Sequence, residues 1–241
     1  MDTGMYVVLP ELSANDPLPV GQRPVLYLLH GMTEDCSAWV RRTAIERYVS
    51  AYGLVAVMPS AGRSFYANMR DGPRYFTHIA DEVPAMPRHF FNISQDKAIV
   101  AGLSMGGYGA FKLALTYPER YIAACSLSGS LVFDQKLLEG EDMLRRDLEY
   151  IFGDLDAIAG GDDDLTELLR RRTGEGTRLP RLYQYCGTED FLYESNLRFR
   201  DLARSLGVGL TFTEDGGDHA WPHWDRHVRR FLATLAAERN K

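Results

Sequence analysis

The sequence predicts an α/β protein with a mostly parallel central sheet and helices on both of its faces. Two observations carry that prediction. Apolar runs of strand length alternate with segments of helical spacing along most of the 241-residue chain. Several of the runs, such as residues 24–29 and 54–58, are near-continuously apolar, as strands covered from both sides must be. A 45% hydrophobic and 25% charged composition is that of an ordinary globular protein, and the length suits one large domain over residues 1–241. The net charge of −6 and pI near 5.5 argue against a general binder of nucleic acid or of anionic membranes. Cys36, Cys125 and Cys186 are odd in number and lack CxxC spacing, so neither a disulfide framework nor a zinc site is suggested. The N-terminus lacks the basic-then-apolar pattern of a signal peptide, and no apolar run approaches about 18 residues. A soluble protein of a reducing cytoplasm is the expectation.

Residues 5–9 form a short β-rich run closed by Pro10, and a polar, proline-bearing loop covers 11–23. The buried strand 24–29 leads into His30-Gly31-Met32-Thr33. Helical spacing follows through Trp39, Thr43 and Ile45 to Val49, stopped near Gly53. Residues 54–58 form the next buried strand, ended by Pro59. The long loop 60–76 carries Arg63, Phe65, Tyr66, Arg70, Arg74 and Tyr75 and is placed to line a site. Pro84 and Pro87 predict a kinked or late-starting helix within 79–91. Strand 99–103 runs into a helix from about Gly106 to Tyr117 that buries Phe111, Ala114 and Leu115 and ends at Pro118. After strand 121–127 the alternation breaks. Residues 130–180 hold Leu137, Leu138, Leu144 and Leu148 at helical spacings and the acidic run Asp162-Asp163-Asp164. They read as a small helical insertion over the sheet's edge, with the acidic run in a solvated loop or helix start rather than a metal site. Strand 182–186, an amphipathic helix through Leu197, Leu202 and Leu206, and strand 210–214 restore the pattern. A closing helix carries Trp224, Val228, Phe231, Leu232 and Leu235 on one face.

Gly102-Leu103-Ser104-Met105-Gly106 stands where a strand turns into a helix, and G-x-S-x-G in that context is a nucleophile elbow. A serine on so sharp a turn needs neighbours without a Cβ, which Gly102 and Gly106 provide. The turn presents the Oγ at the sheet's edge beside the Met105 N–H, where a helix start favours an oxyanion. A serine that merely caps the helix is the plain alternative. Asp190 and His219 follow at later strand ends, in the Ser–Asp–His order used by hydrolases built on such sheets. A serine hydroxyl attacks poorly unless an imidazole takes its proton, and His219 is the residue placed to accept and return it. Asp190 would fix the imidazole tautomer and stabilise the imidazolium. Glu189 and Asp215 are rival acids. His223 and His227, an i, i+4 pair on the last helix, read as a solvated face, since no HExxH frame or third ligand accompanies them. The second oxyanion donor is expected from the loop after the first buried strand. There Gly31 permits an unusual turn, the Met32 N–H can face the pocket, and His30 braces the loop rather than acts as a base. No metal and no cofactor are expected.

These motifs span most of the chain, together with Gly62-Arg63-Ser64-Phe65-Tyr66, Cys186-Gly187-Thr188-Glu189-Asp190-Phe191-Leu192, and Trp221 and Trp224 after His219. With them the sequence resembles the esterase D family of α/β-hydrolases, especially its short tributyrin-esterase (acetyl esterase) branch. The resemblance implies an α/β-hydrolase fold and a cofactor-free serine carboxylesterase for short acyl esters. It also implies Ser104, Asp190 and His219 as triad, Met32 and Met105 as oxyanion donors, and a small-molecule ester as partner. Phe65, Tyr66 and Trp221 are candidates for shaping the substrate pocket. S-formylglutathione hydrolase or acyltransferase activity stays open, while a catalytically silent binding module is less favoured because no triad position is substituted. The family's S-formylglutathione hydrolases carry a cysteine two residues after the position of Met32, where this chain has Glu34. The chain begins at what resembles the family's second strand, so an edge strand is expected to be missing or replaced. Relatives in this branch often oligomerise, and an uncovered sheet edge would pair or need cover, which leaves a homo-oligomer open.

Overall fold

The computed structural model describes residues 3–10, 19–93, 98–133 and 142–239. Seven strands form one sheet in the order β1-β3-β2-β4-β5-β6-β7. They are β1 (Met5–Val8), β2 (Val25–Leu29), β3 (Val55–Pro59), β4 (Ala98–Leu103), β5 (Tyr121–Leu127), β6 (Arg181–Gly187) and β7 (Leu210–Asp215). Strand β1 runs antiparallel to β3, with Met5 opposite Pro59. The other pairings are parallel.

Period-two alternation divides the strands between two cores. Val25, Tyr27 and Leu29 face one, while Leu26 and Leu28 face the other. The first core is covered by α3 (Val83–Phe91), α4 (Met105–Thr116), α5 (Asp142–Phe152), α6 (Leu165–Gly174) and α7 (Tyr193–Ser205). The second is covered by α1 (Ala38–Arg42), α2 (Ile45–Ala51) and α8 (Trp221–Arg239). No described helix is long and apolar enough to cross a membrane.

Three local expectations are refined. The helical stretch through Trp39 and Val49 is two helices, because Thr43 adopts extended backbone between them. Its hydroxyl donates to the Trp39 carbonyl at 2.6 Å and accepts the Ile45 N–H at 3.1 Å, so it ends one helix and starts the next. The prolines near residue 84 do not delay a helix. The helix begins early, at Tyr75–Thr77, but it is irregular, in line with the kinked alternative: a π-helical turn at His78–Glu82 runs directly into α3, with Pro84 at its second position and Pro87 inside it.

The acidic run is a helix start, one of the two expected readings, but it is not simply solvated. Asp164 caps α6 by accepting the Thr166 and Glu167 N–H groups at 2.9 and 3.3 Å. Asp163 pairs with the ammonium of Lys112, which is buried on α4, and its carbonyl accepts the Tyr108 hydroxyl at 2.7 Å. That ammonium also donates to the Tyr66 carbonyl at 3.2 Å and lies 4.5 Å from the centre of the Phe76 ring. The run therefore moors the segment between β5 and β6 to the helix that follows Ser104. Leu137 and Leu138 lie outside the described residues.

Candidate active site

Ser104 joins β4 to α4 with φ 53° and ψ −120°. A non-glycine residue held there stores about 1–3 kcal/mol of strain. The turn closes because strand and helix touch backbone to backbone. A Cβ on Gly102 would overlap the Gly106 carbonyl, and one on Gly106 would overlap the Leu29 carbonyl. The Ser104 side chain makes no cap hydrogen bond. Its Oγ instead lies 3.0 Å from Nε2 of His219, in the loop between β7 and α8. The other ring nitrogen, Nδ1, lies 2.9 and 3.1 Å from the two Asp190 carboxylate oxygens. The Asp190 side chain is fully buried, and its Oδ1 also accepts the Leu192 N–H at 2.9 Å. Phe191 and Trp224 hold the imidazole between them, with ring centres 4.6 and 4.9 Å away.

The rival acids are engaged elsewhere. Glu189 accepts the Gly217 N–H and the Thr188 hydroxyl. Asp215 accepts the Tyr185 hydroxyl at 2.9 Å and pairs with His227 Nε2 at 3.0 Å. This corrects the reading of His223 and His227 as a solvated face. His227 is buried and stacks on the Tyr185 ring at 3.4 Å, because α8 packs that side against β6. Burial keeps its pKa below the ordinary histidine value despite the nearby carboxylate. Burial also works against the charge of Asp215, but the Tyr185 hydroxyl and His227 outweigh it and hold that carboxyl low. Among the described residues no three His, Cys, Asp or Glu side chains form a group able to hold a metal.

The loop after β2 is braced from several sides. Buried His30 donates from Nδ1 to the Gly31 carbonyl at 2.6 Å and accepts the Ala61 N–H at Nε2 at 2.9 Å. That pattern needs the neutral imidazole, and burial pushes its pKa down accordingly. The carbonyl and N–H of one trans peptide point in opposite directions, so the bond to the Gly31 carbonyl turns the Met32 N–H away from His30. The Gly31 N–H is taken by Glu34 Oε2 at 3.2 Å. Met32 thus keeps a free N–H among the described residues, and Met105, first in α4, has no intrahelical acceptor for its own. Gly31 also presses on the nucleophile: a Cβ there would lie 2.8 Å from Leu103 Cδ1 and 3.8 Å from Ser104 Cβ.

The three pocket candidates divide. Phe65 and Tyr66 are 3% and 0% exposed and both adopt φ 49°. Tyr66 donates its hydroxyl to the His30 carbonyl at 3.0 Å, while Phe65 packs on Tyr108, Phe133 and Phe152. They support the site from beneath and offer a substrate little free surface. Trp221 is half-buried, and its indole N–H donates to Glu34 Oε1 at 2.7 Å. Sequence reasoning gave Glu34 no such role, although its place three residues after Gly31 suits a turn-closing acceptor. Lys112, inside an apolar helix, was the other unread signal.

A strained serine at a strand end with an imidazole against it, on a sheet wound in this order, is the architecture of the α/β-hydrolases. The chain belongs to the esterase family described as "Putative esterase", whose pattern matches residues 1–157, and it is a carboxylic ester hydrolase. It is 29% identical over 211 residues to an acetyl esterase of Caldicellulosiruptor saccharolyticus, covering 84% of this chain and 79% of the relative. Two solved structures from Staphylococcus aureus are each 33% identical to it. One is the fluorophosphonate-binding serine hydrolase FphF with substrate bound, with a TM-score of 0.86 over 96% of this chain and 91% of the other. The second is the S-formylglutathione hydrolase FrmB as apoenzyme, with a TM-score of 0.85 over 97% and 92%.

Proposed function

We propose that the protein is a serine esterase for short acyl esters of the acetyl and butyryl type, with Ser104 as nucleophile, His219 as general base and Asp190 as its orienting carboxylate. The observation that carries this reading is the continuous hydrogen-bonded chain from a strained Ser104 through His219 to a buried Asp190. Ser104 Oγ attacks the acyl carbon while its proton passes to His219 Nε2. The Met32 and Met105 N–H groups hold the tetrahedral oxyanion. Collapse breaks the bond to the alcohol oxygen, which leaves with the proton from His219. Water then attacks the acyl-enzyme with His219 again as base, releasing the acid and restoring Ser104. Residues 1–241 act in this reading as one domain, with 130–180 as an insertion whose helices share a core with α4.

Short acyl groups are favoured by the likeness to an acetyl esterase. A second reading, thioester hydrolysis, draws on the likeness to an S-formylglutathione hydrolase. p-Nitrophenyl esters of increasing chain length, assayed beside S-formylglutathione on wild type and Ser104→Ala, test both. We expect acetate and butyrate to be the best substrates and Ser104→Ala to lose about 10⁴-fold or more in kcat. Equal turnover by wild type and Ser104→Ala would overturn the proposal. Preference for S-formylglutathione would replace the first reading with the second.

A further inference from the structure

Glu34 shares its carboxylate between two parts of the active site. Oε2 accepts the N–H of Gly31, in the loop that carries Met32. Oε1 accepts the indole N–H of Trp221, at the start of α8 just past His219 and 187 residues away in sequence. One side chain therefore ties the oxyanion loop to the segment that carries the imidazole.

Three features make this more than a surface contact. The first concerns the Gly31 N–H, one residue before the Met32 N–H. Left unpaired, it would compete with Met32 for an oxyanion and free the loop to rotate. With Glu34 on the Gly31 N–H and His30 on the Gly31 carbonyl, both peptide groups of residue 31 are fixed. The second is the rigidity of the anchor. Trp221 packs edge-on against Trp39 and Trp224, with ring centres 5.2 and 5.4 Å away, and Trp224 packs edge-on against His219. The third is proximity. A Cβ on Gly31 would lie 3.3 Å from Glu34 Oε2 and 3.8 Å from Ser104 Cβ, so carboxylate and nucleophile flank the same residue. An unpaired negative charge there would oppose a developing oxyanion, and two N–H donors take up that charge.

We propose that Glu34, held by Trp221, is a positioning residue that sets the oxyanion loop against the His219 segment. The proposal rests on Ser104 as nucleophile and Met32 as donor, and it can fail while that reading stands.

The test is a kinetic cycle on p-nitrophenyl acetate with Glu34→Ala, Glu34→Gln, Trp221→Phe and the Glu34→Ala/Trp221→Phe double variant. Circular dichroism checks folding, and stoichiometric fluorophosphonate labelling of Ser104 checks the parent reading separately. A neutral amide oxygen accepts more weakly than a carboxylate, and one amide has a single oxygen for the two donors. We expect kcat to fall about tenfold in Glu34→Gln and Trp221→Phe and about 10²-fold in Glu34→Ala, with KM within about threefold. The double variant should be no slower than Glu34→Ala, because both changes break one connection. Should Glu34→Ala fail to fold, Glu34→Gln and Trp221→Phe carry the test. Values of kcat within about twofold of wild type in both, a loss confined to KM, or losses that multiply in the double variant would overturn the proposal.

Discussion

Protonating His30 would abolish the acceptor that holds the Ala61 N–H, and protonating His227 would bury a charge in the α8–β6 contact. Both pKa values lie below the ordinary histidine value through burial. The unfolded chain therefore binds protons first as pH falls below about 6.5, and stability drops from there until the lowered folded-state values are passed. Asp215, held low, adds nothing to this slope, because its contribution is lost only in the more acidic carboxylate range. We expect Tm to be level from about pH 8 to 7 and lower at about pH 5, more weakly so in His227→Gln. A level Tm across that range would contradict the neutral assignments. Ser104, Asp190 and His219 were legible in the sequence because residue type, strand-end position and chain order all point the same way. His227 and Tyr66 were not, because a polar residue's burial is decided by distant partners: β6 for His227, and the His30 carbonyl for Tyr66.

Helix α4 follows the elbow, and the buried Lys112 ammonium on it is one of the ties that hold the segment between β5 and β6 against it, beside their shared apolar core. Removing one member of such a pair leaves the other desolvated without compensation. Asp163 is about a third exposed, so the penalty is discounted for solvent. Asp163→Asn is expected to cost about 2 kcal/mol and lower Tm by about 4–8 °C. Lys112→Met should cost less, since it leaves a solvated carboxylate and an apolar stem, and the two losses should not add. Differential scanning calorimetry checks the order, and a larger loss in Lys112→Met would contradict it. Strands were read to within about a residue because continuous apolar runs have few alternative structures. Helix starts were read less well. Thr43 splits its helix through its own hydroxyl, and the helical turns from Tyr75 precede the prolines, neither of which shows in apolar spacing.

Across the whole molecule, the sheet order places β4 beside β2 and β5, so the ends carrying Ser104 and His30-Gly31-Met32 lie side by side. Asp190 and His219 follow β6 and β7, adjacent strands farther along the same sheet. This arrangement was legible once the chain was read as parallel α/β, since parallel strands bring all their carboxyl ends to one side. The same packing buries Cys125 and Cys186 and pushes both thiols up, while Cys36 is half-buried. A thiol reagent should therefore titrate Cys36 alone in the native protein and all three after denaturation. Reaction of Cys125 without unfolding would contradict the core described above. Whether Ser104 attacks the acyl carbon is decided by mapping the covalent adduct formed with a fluorophosphonate, which traps the attacking atom itself. The predicted result is one adduct per chain, on the peptide containing Ser104, formed in step with loss of esterase activity and absent in Ser104→Ala. An adduct on any other residue, or full activity in fully labelled protein, would contradict it.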